Sequence, residues 1–66
     1  MNVTVNGRPR DVAVGTTLQG LVSAETGGGR GGAAAVDGDV VPRSLWPQTA
    51  LRDGSVVEIV TAVQGG

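Results

Sequence analysis

The sequence predicts an α+β domain in which one short helix packs on one face of a mixed sheet of about four or five strands. Three observations carry this. The chain opens on two alternating segments joined by Asn6-Gly7. One stretch, Leu18 to Val22, places apolar residues at helical spacing. The remainder is rich in Val and is cut by two further turn signals, Asp37-Gly38 and Asp53-Gly54; Val fits strands better than helices.

The elements follow in order. Met1, Val3 and Val5 alternate with Asn2, Thr4 and Asn6, the pattern of a half-buried strand. Asn6-Gly7 is a hairpin turn, because both residues tolerate positive φ. Arg10 to Val14 alternates again, with Val12 and Val14 expected to face inward. Gly15 breaks that strand. Thr16-Thr17-Leu18-Gln19 fits a capping box, with Thr16 as N-cap and Gln19 at N3. Leu18, Leu21 and Val22 then form the apolar stripe of one helix ending near Glu25. Gly20 costs that helix about 1 kcal/mol relative to Ala, so it leans on packing. Residues 26–32 read TGGGRGG, a flexible connection.

Ala33 to Val36 is predicted as a strand, Asp37-Gly38 as a turn, and Asp39 to Val41 as the strand that pairs back before Pro42. Arg43 to Trp46 lies between Pro42 and Pro47, too short for an α-helix, and predicts a 3₁₀ turn in which Trp46 plugs a small core. After Asp53-Gly54, Ser55 to Thr61 is predicted as the longest strand. Val57 and Ile59 share one face; Val56, Glu58 and Val60 share the other. Both faces are rather apolar, as in a central or partner-facing strand. A hairpin, a helix and then several strands bring the first and last strands together in parallel through a right-handed crossover. That is the β-grasp, or ubiquitin-like, architecture: a single domain over residues 1–66 with a flexible C-terminal tail over 62–66.

Composition removes most kinds of chemistry. At 66 residues a domain buries only about 60% of its unfolded surface, which leaves no space for an internal active-site cavity. There is no Cys and no His, hence no thiolate, imidazole base or usual zinc ligand. The five cations are all Arg, scattered among six acids at a net charge of −1. No basic stripe for nucleic acid results. No apolar run approaches the roughly 20 residues of a membrane span, and the N-terminus has no signal-peptide pattern, so a cytoplasmic protein is expected. Asp37 and Asp39 flank Gly38, but two turn carboxylates make a poor cation site, and no metal is expected. The Gly-rich segment follows a helix and precedes a strand, the reverse of a phosphate loop, so no bound cofactor is expected either.

The C-terminal Gly65-Gly66 remains. It follows directly on the predicted last strand with a short spacer. Two residues without Cβ can take backbone paths closed to others and thread a narrow enzyme channel, carrying the main-chain carboxylate of Gly66 to a reactive centre. Once activated as an acyl-adenylate, that carboxylate could accept sulfur and become a thiocarboxylate. All catalytic groups would belong to partners, which suits a chain that has none of its own.

The run VDGDVVPRSLW (Val36 to Trp46), then LRDGSVVEIV (Leu51 to Val60) and the terminal Gly65-Gly66 resemble the ThiS family, the sulfur carriers of thiamine biosynthesis. The N-terminal hairpin and the Gly15-Thr16-Thr17-Leu18 helix start match too. The Val-Pro-Arg-x-x-Trp segment is the most specific part. The resemblance implies a β-grasp carrier rather than an enzyme. A ThiF-like, E1-like adenylyltransferase would use ATP on Gly66, and a sulfur donor protein would supply the sulfur. A ThiG-like thiazole synthase would receive it. Gly65 would thread the partner channel, and Val56, Val60 and Arg43 are candidates for partner docking. The longer Gly-rich loop and Ser55, where an acidic residue often follows the Asp-Gly turn, depart from the family pattern. The related small subunit of molybdopterin synthase, a protein modifier, and a non-catalytic β-grasp interaction domain are the alternatives.

Overall fold

A computed structural model describes residues 1–27 and 31–61 of the chain. The predicted tail, with Gly65 and Gly66, lies outside the described residues, as does the centre of the Gly-rich segment.

Five strands form one sheet, in the order β2-β1-β5-β3-β4. They are β1 (Asn2–Val5), β2 (Arg8–Asp11), β3 (Gly31–Val36), β4 (Asp39–Val40) and β5 (Val56–Thr61). The helix α1 (Leu18–Thr26) and a 3₁₀ helix (Arg43–Gln48) complete the described elements. β1 and β5 are parallel, Thr4 opposite Val56, whereas β3 runs antiparallel to β5, Ala34 opposite Ile59. β5 is therefore central, as the apolar character of both its faces predicts. It has six residues and so does β3; it is not the longest strand, because Gly31 and Gly32 join β3 ahead of the expected start at Ala33.

The core lies between α1 and one face of the sheet. Leu18, Leu21 and Val22 from the helix meet Val3, Val5, Ala34, Val57 and Ile59 from the strands, with Leu51 and Trp46 closing one end. Trp46 is 2% exposed. Its indole N–H donates to the Val41 carbonyl at 2.8 Å, so burying the ring strands no polar atom. The 3₁₀ helix continues through Pro47 to Gln48, beyond the predicted stop. The fixed φ of proline already suits 3₁₀ geometry.

Three turns have a residue with a short polar side chain followed by Gly. Asn6 and Asp37 both have φ +50°, and Gly7 and Gly38 follow at +81° and +88°, the paired positive φ values of a type I′ hairpin. All three polar side chains also bond a strand elsewhere in the sheet. Asp37 Oδ1 accepts from Val56 N–H at 2.9 Å. Asp53 Oδ1 accepts from Asn2 N–H at 2.7 Å. Asn6 donates to the Ile59 carbonyl at 3.1 Å and accepts from its N–H at 2.8 Å. The turns thereby fasten the central strands β1 and β5.

Two local expectations are corrected. Val14 does not face inward; it is 87% exposed. β2 ends at Asp11, and Thr16 N–H bonds the Ala13 carbonyl at 3.1 Å. The chain has turned there, and strand alternation no longer applies. The N-cap is Thr17, not Thr16: its side chain accepts from Gly20 N–H at 3.2 Å. The Thr16 hydroxyl instead donates to Ala13 O at 2.7 Å. With the cap one residue later, N3 is Gly20. No capping box forms, and Gln19 bonds Ser23 Oγ at 3.1 Å. The helix ends at Thr26, and Gly27 caps it at φ +66°, the left-handed geometry that glycine favours.

Candidate functional site: the open sheet face and the last strand

Side chains on a strand alternate between faces, and β5 shows the consequence. Val57 and Ile59 are buried under α1, while Val56, Glu58 and Val60 point away from it; Val56 is 46% exposed and Val60 is 65% exposed. Across the ladder, Ala35 stands opposite Glu58 and Ala33 opposite Val60. Val40 of β4 pairs with Ala35 and is also exposed. The small side chains of Ala33 and Ala35 leave a shallow groove of about 170 Å³ between Val40, Glu58 and Val60. It is apolar apart from the single carboxylate of Glu58.

The groove reaches the end of the described chain, because Val60 is both a groove wall and the residue before Thr61, the last described. The expected docking residues Val56 and Val60 thus share one face. Arg43 is not with them. It sits on the 3₁₀ helix, which packs against α1 on the covered side, and its guanidinium lies 5.5 Å from the centre of the Trp46 ring, within cation–π range. Ala33, Ala35, Val40 and Glu58 were not among the expected docking residues. Their signal was present: Ala33 and Ala35 flank buried Ala34, so strand parity alone puts them outside.

Ser55, the departure after the third turn, has a local structural use. It is 4% exposed. Its Oγ accepts from Arg52 N–H at 2.9 Å and its N–H donates to Arg52 O at 3.0 Å, which closes the turn on itself. Its carbonyl accepts from Thr4 N–H at 2.9 Å and starts the parallel ladder.

Among the described residues, no group of three or more His, Cys, Asp or Glu could hold a metal ion. The Oδ1 atom of Asp37 is already bonded to the backbone of β5. No helix among the described residues is long and apolar enough to cross a membrane.

The sequence matches the ThiS family over residues 3–66. The chain belongs to that family. A crystal structure of a thiamine biosynthesis protein (ThiS) from Geobacter metallireducens is 31% identical, covers all of both chains and superposes with a TM-score of 0.79. An NMR solution structure of a thiamine biosynthesis protein from the same organism is 30% identical, with a TM-score of 0.77, over all of this chain and 88% of that one. No curated protein matches the chain. The helix-on-sheet arrangement is the β-grasp fold shared with these ThiS neighbours.

Proposed function

We propose that this protein is a sulfur carrier for assembly of the thiamine thiazole ring, acting as a carrier and not as a catalyst. The observation that carries the reading is that the ThiS family match runs through residue 66, so it includes the Gly65-Gly66 pair.

In this reading a carboxylate oxygen of Gly66 attacks the α-phosphorus of ATP on an E1-like adenylyltransferase, and pyrophosphate leaves. The acyl-adenylate is then attacked at its carbonyl carbon by a sulfide equivalent from a sulfur donor protein. AMP leaves with the former carboxylate oxygen, and a thiocarboxylate remains. A thiazole synthase accepts that sulfur. The chain's own contribution is physical. Residues 62–66 link β5 to the reacting carboxylate, and Gly65 keeps the path to the partner's centre free of side chains. The open face of β5 docks the partner through Val56 and Val60. Arg43, stacked on Trp46 away from that face, meets only a partner that also grips the covered side.

The test is the intact mass of the protein after incubation with the adenylyltransferase, ATP and sulfide. Replacement of one oxygen by sulfur, dependent on ATP, is expected. A covalent conjugate would instead identify a protein modifier, and an unchanged mass an interaction domain.

A further inference from the structure

We propose that Asn6 is a positioning residue for the activation of Gly66: its side chain clamps β5 at Ile59, two residues before Thr61, the last described residue. This role rests on the sulfur-carrier reading above.

Asn6 differs from the other two turn residues in bonding both the N–H and the carbonyl of one residue. β1 pairs with β5 only as far as Val5 opposite Val57, because Asn6 adopts φ +50° and bends the backbone into the hairpin. Asn6 N–H still reaches the Val57 carbonyl at 2.9 Å. The side-chain amide then takes over. It accepts from Ile59 N–H and donates to Ile59 O, the two bonds that two successive peptide groups of a continued β1 would have made. A carboxamide carries both a donor and an acceptor, so one side chain supplies both bonds. Parallel pairing is extended by one step without any backbone.

The other edge of β5 shows why the step matters. Beyond Ala33 the β3 partner is Gly31-Gly32, and the ladder register shifts between Gly31 and Ala33. Glycine has the most backbone freedom to lose on ordering, and an irregular ladder holds its partner less firmly. The amide of Asn6 thus holds β5 on the side opposite its weakest pairing. It acts one residue before Val60 and seven before Gly66. The docking face and Gly66 belong to one continuous stretch of chain, so freeing β5 at Ile59 loosens the register between the docked surface and the carboxylate. Catalysis is sensitive to such misplacement.

The variants are Asn6→Gly, which keeps the positive φ and removes the clamp, and Asn6→Asp, which keeps the acceptor and sets a second oxygen against the Ile59 carbonyl. Both are compared with the native protein at a temperature where circular dichroism shows all three folded. Amide exchange should quicken at Ile59 and Thr61 and stay unchanged at Val3 and Val22. In carrier-dependent ATP–pyrophosphate exchange on the adenylyltransferase, kcat should fall about tenfold while KM for the carrier changes less than threefold. Folded variants with native kcat, or with native exchange at Ile59, overturn the role of Asn6. A loss of stability with a proportionate rise in KM and kcat preserved makes it a turn residue only and overturns it equally. If the native protein itself supports no exchange, the sulfur-carrier reading falls, and the role of Asn6 falls with it.

Discussion

The two faces of β5 are made of nearly the same material and do opposite things. Val57 and Ile59 lie under the helix at 0% and 7% exposure, whereas Val56 and Val60, their immediate neighbours, lie open at 46% and 65%. Hydrophobicity does not separate them; parity does. Burial of the first pair stabilises the fold, each fully buried Val side chain contributing about 1.5–3 kcal/mol. The second pair adds little to stability and leaves an apolar surface around one carboxylate, available to a partner. In a chain this small, a central strand that is apolar on both sides serves the core with one face and, in the proposed function, recognition with the other.

The comparison breaks most visibly when the same charge is placed on each face. Val57→Asp buries a carboxylate without a partner, at a cost of several kcal/mol. A domain of this length has only about 3–10 kcal/mol of stability in all. The variant is expected to be unfolded at 25 °C by circular dichroism, and a cooperative melt near the native midpoint would contradict the core assignment. Val60→Asp should leave the melt within a few degrees of native, because the side chain already meets solvent. Its effect should fall on affinity for the adenylyltransferase or the thiazole synthase, weakened about tenfold or more by a charge at an apolar contact. Titration calorimetry with native affinity for both partners would remove the docking face. Loss of fold would show that β5 presents its faces the other way round.

A smaller effect separates Thr16 from Thr17. Thr17→Ala removes the cap oxygen from Gly20 N–H and should cost about 1 kcal/mol. Thr16→Ala removes an exposed hydroxyl bonded to Ala13 O and should cost less. Urea melts of the two variants decide, and an equal or reversed order would restore the capping box that the sequence predicts.

The helix stripe, the three turns and the β5 faces were legible in the sequence because each follows from residues a few positions apart. The parallel pairing of the first and last strands was legible from chain order alone. The errors arose where two local readings were equally good. Thr16 and Thr17 are the same residue type, and the choice between them rests on tertiary pairing: Thr17 bridges Ala50 and Leu18 N–H bonds Thr49 O at 2.8 Å. Val14 continued an alternating pattern past the point where the chain had turned. Asn6, Asp37 and Asp53 read correctly as turn formers. Their bonds to Ile59, Val56 and Asn2 were out of reach, since those partners lie 19 to 53 residues away in sequence. On the open face, Val56 and Val60 followed from one strand, but the groove required β3 and β4 beside it. Arg43 came from a motif, and no periodicity could place it on the covered side.

The central claim is that the Gly66 carboxylate is the group activated. One residue added after Gly66 turns that carboxylate into an amide, which cannot form an adenylate. The new carboxylate lies about 3.3–3.6 Å farther along an extended chain. The matched control adds one residue before Met1. There the ammonium that donates to Val12 O at 2.7 Å becomes an amide N–H still able to donate. Intact mass after incubation with adenylyltransferase, ATP and sulfide is the measurement. The account predicts sulfur on the native and N-terminally extended proteins and none on the C-terminally extended one, with all three melting alike. Full sulfur loading of the C-terminally extended protein, verified as unprocessed, would contradict it.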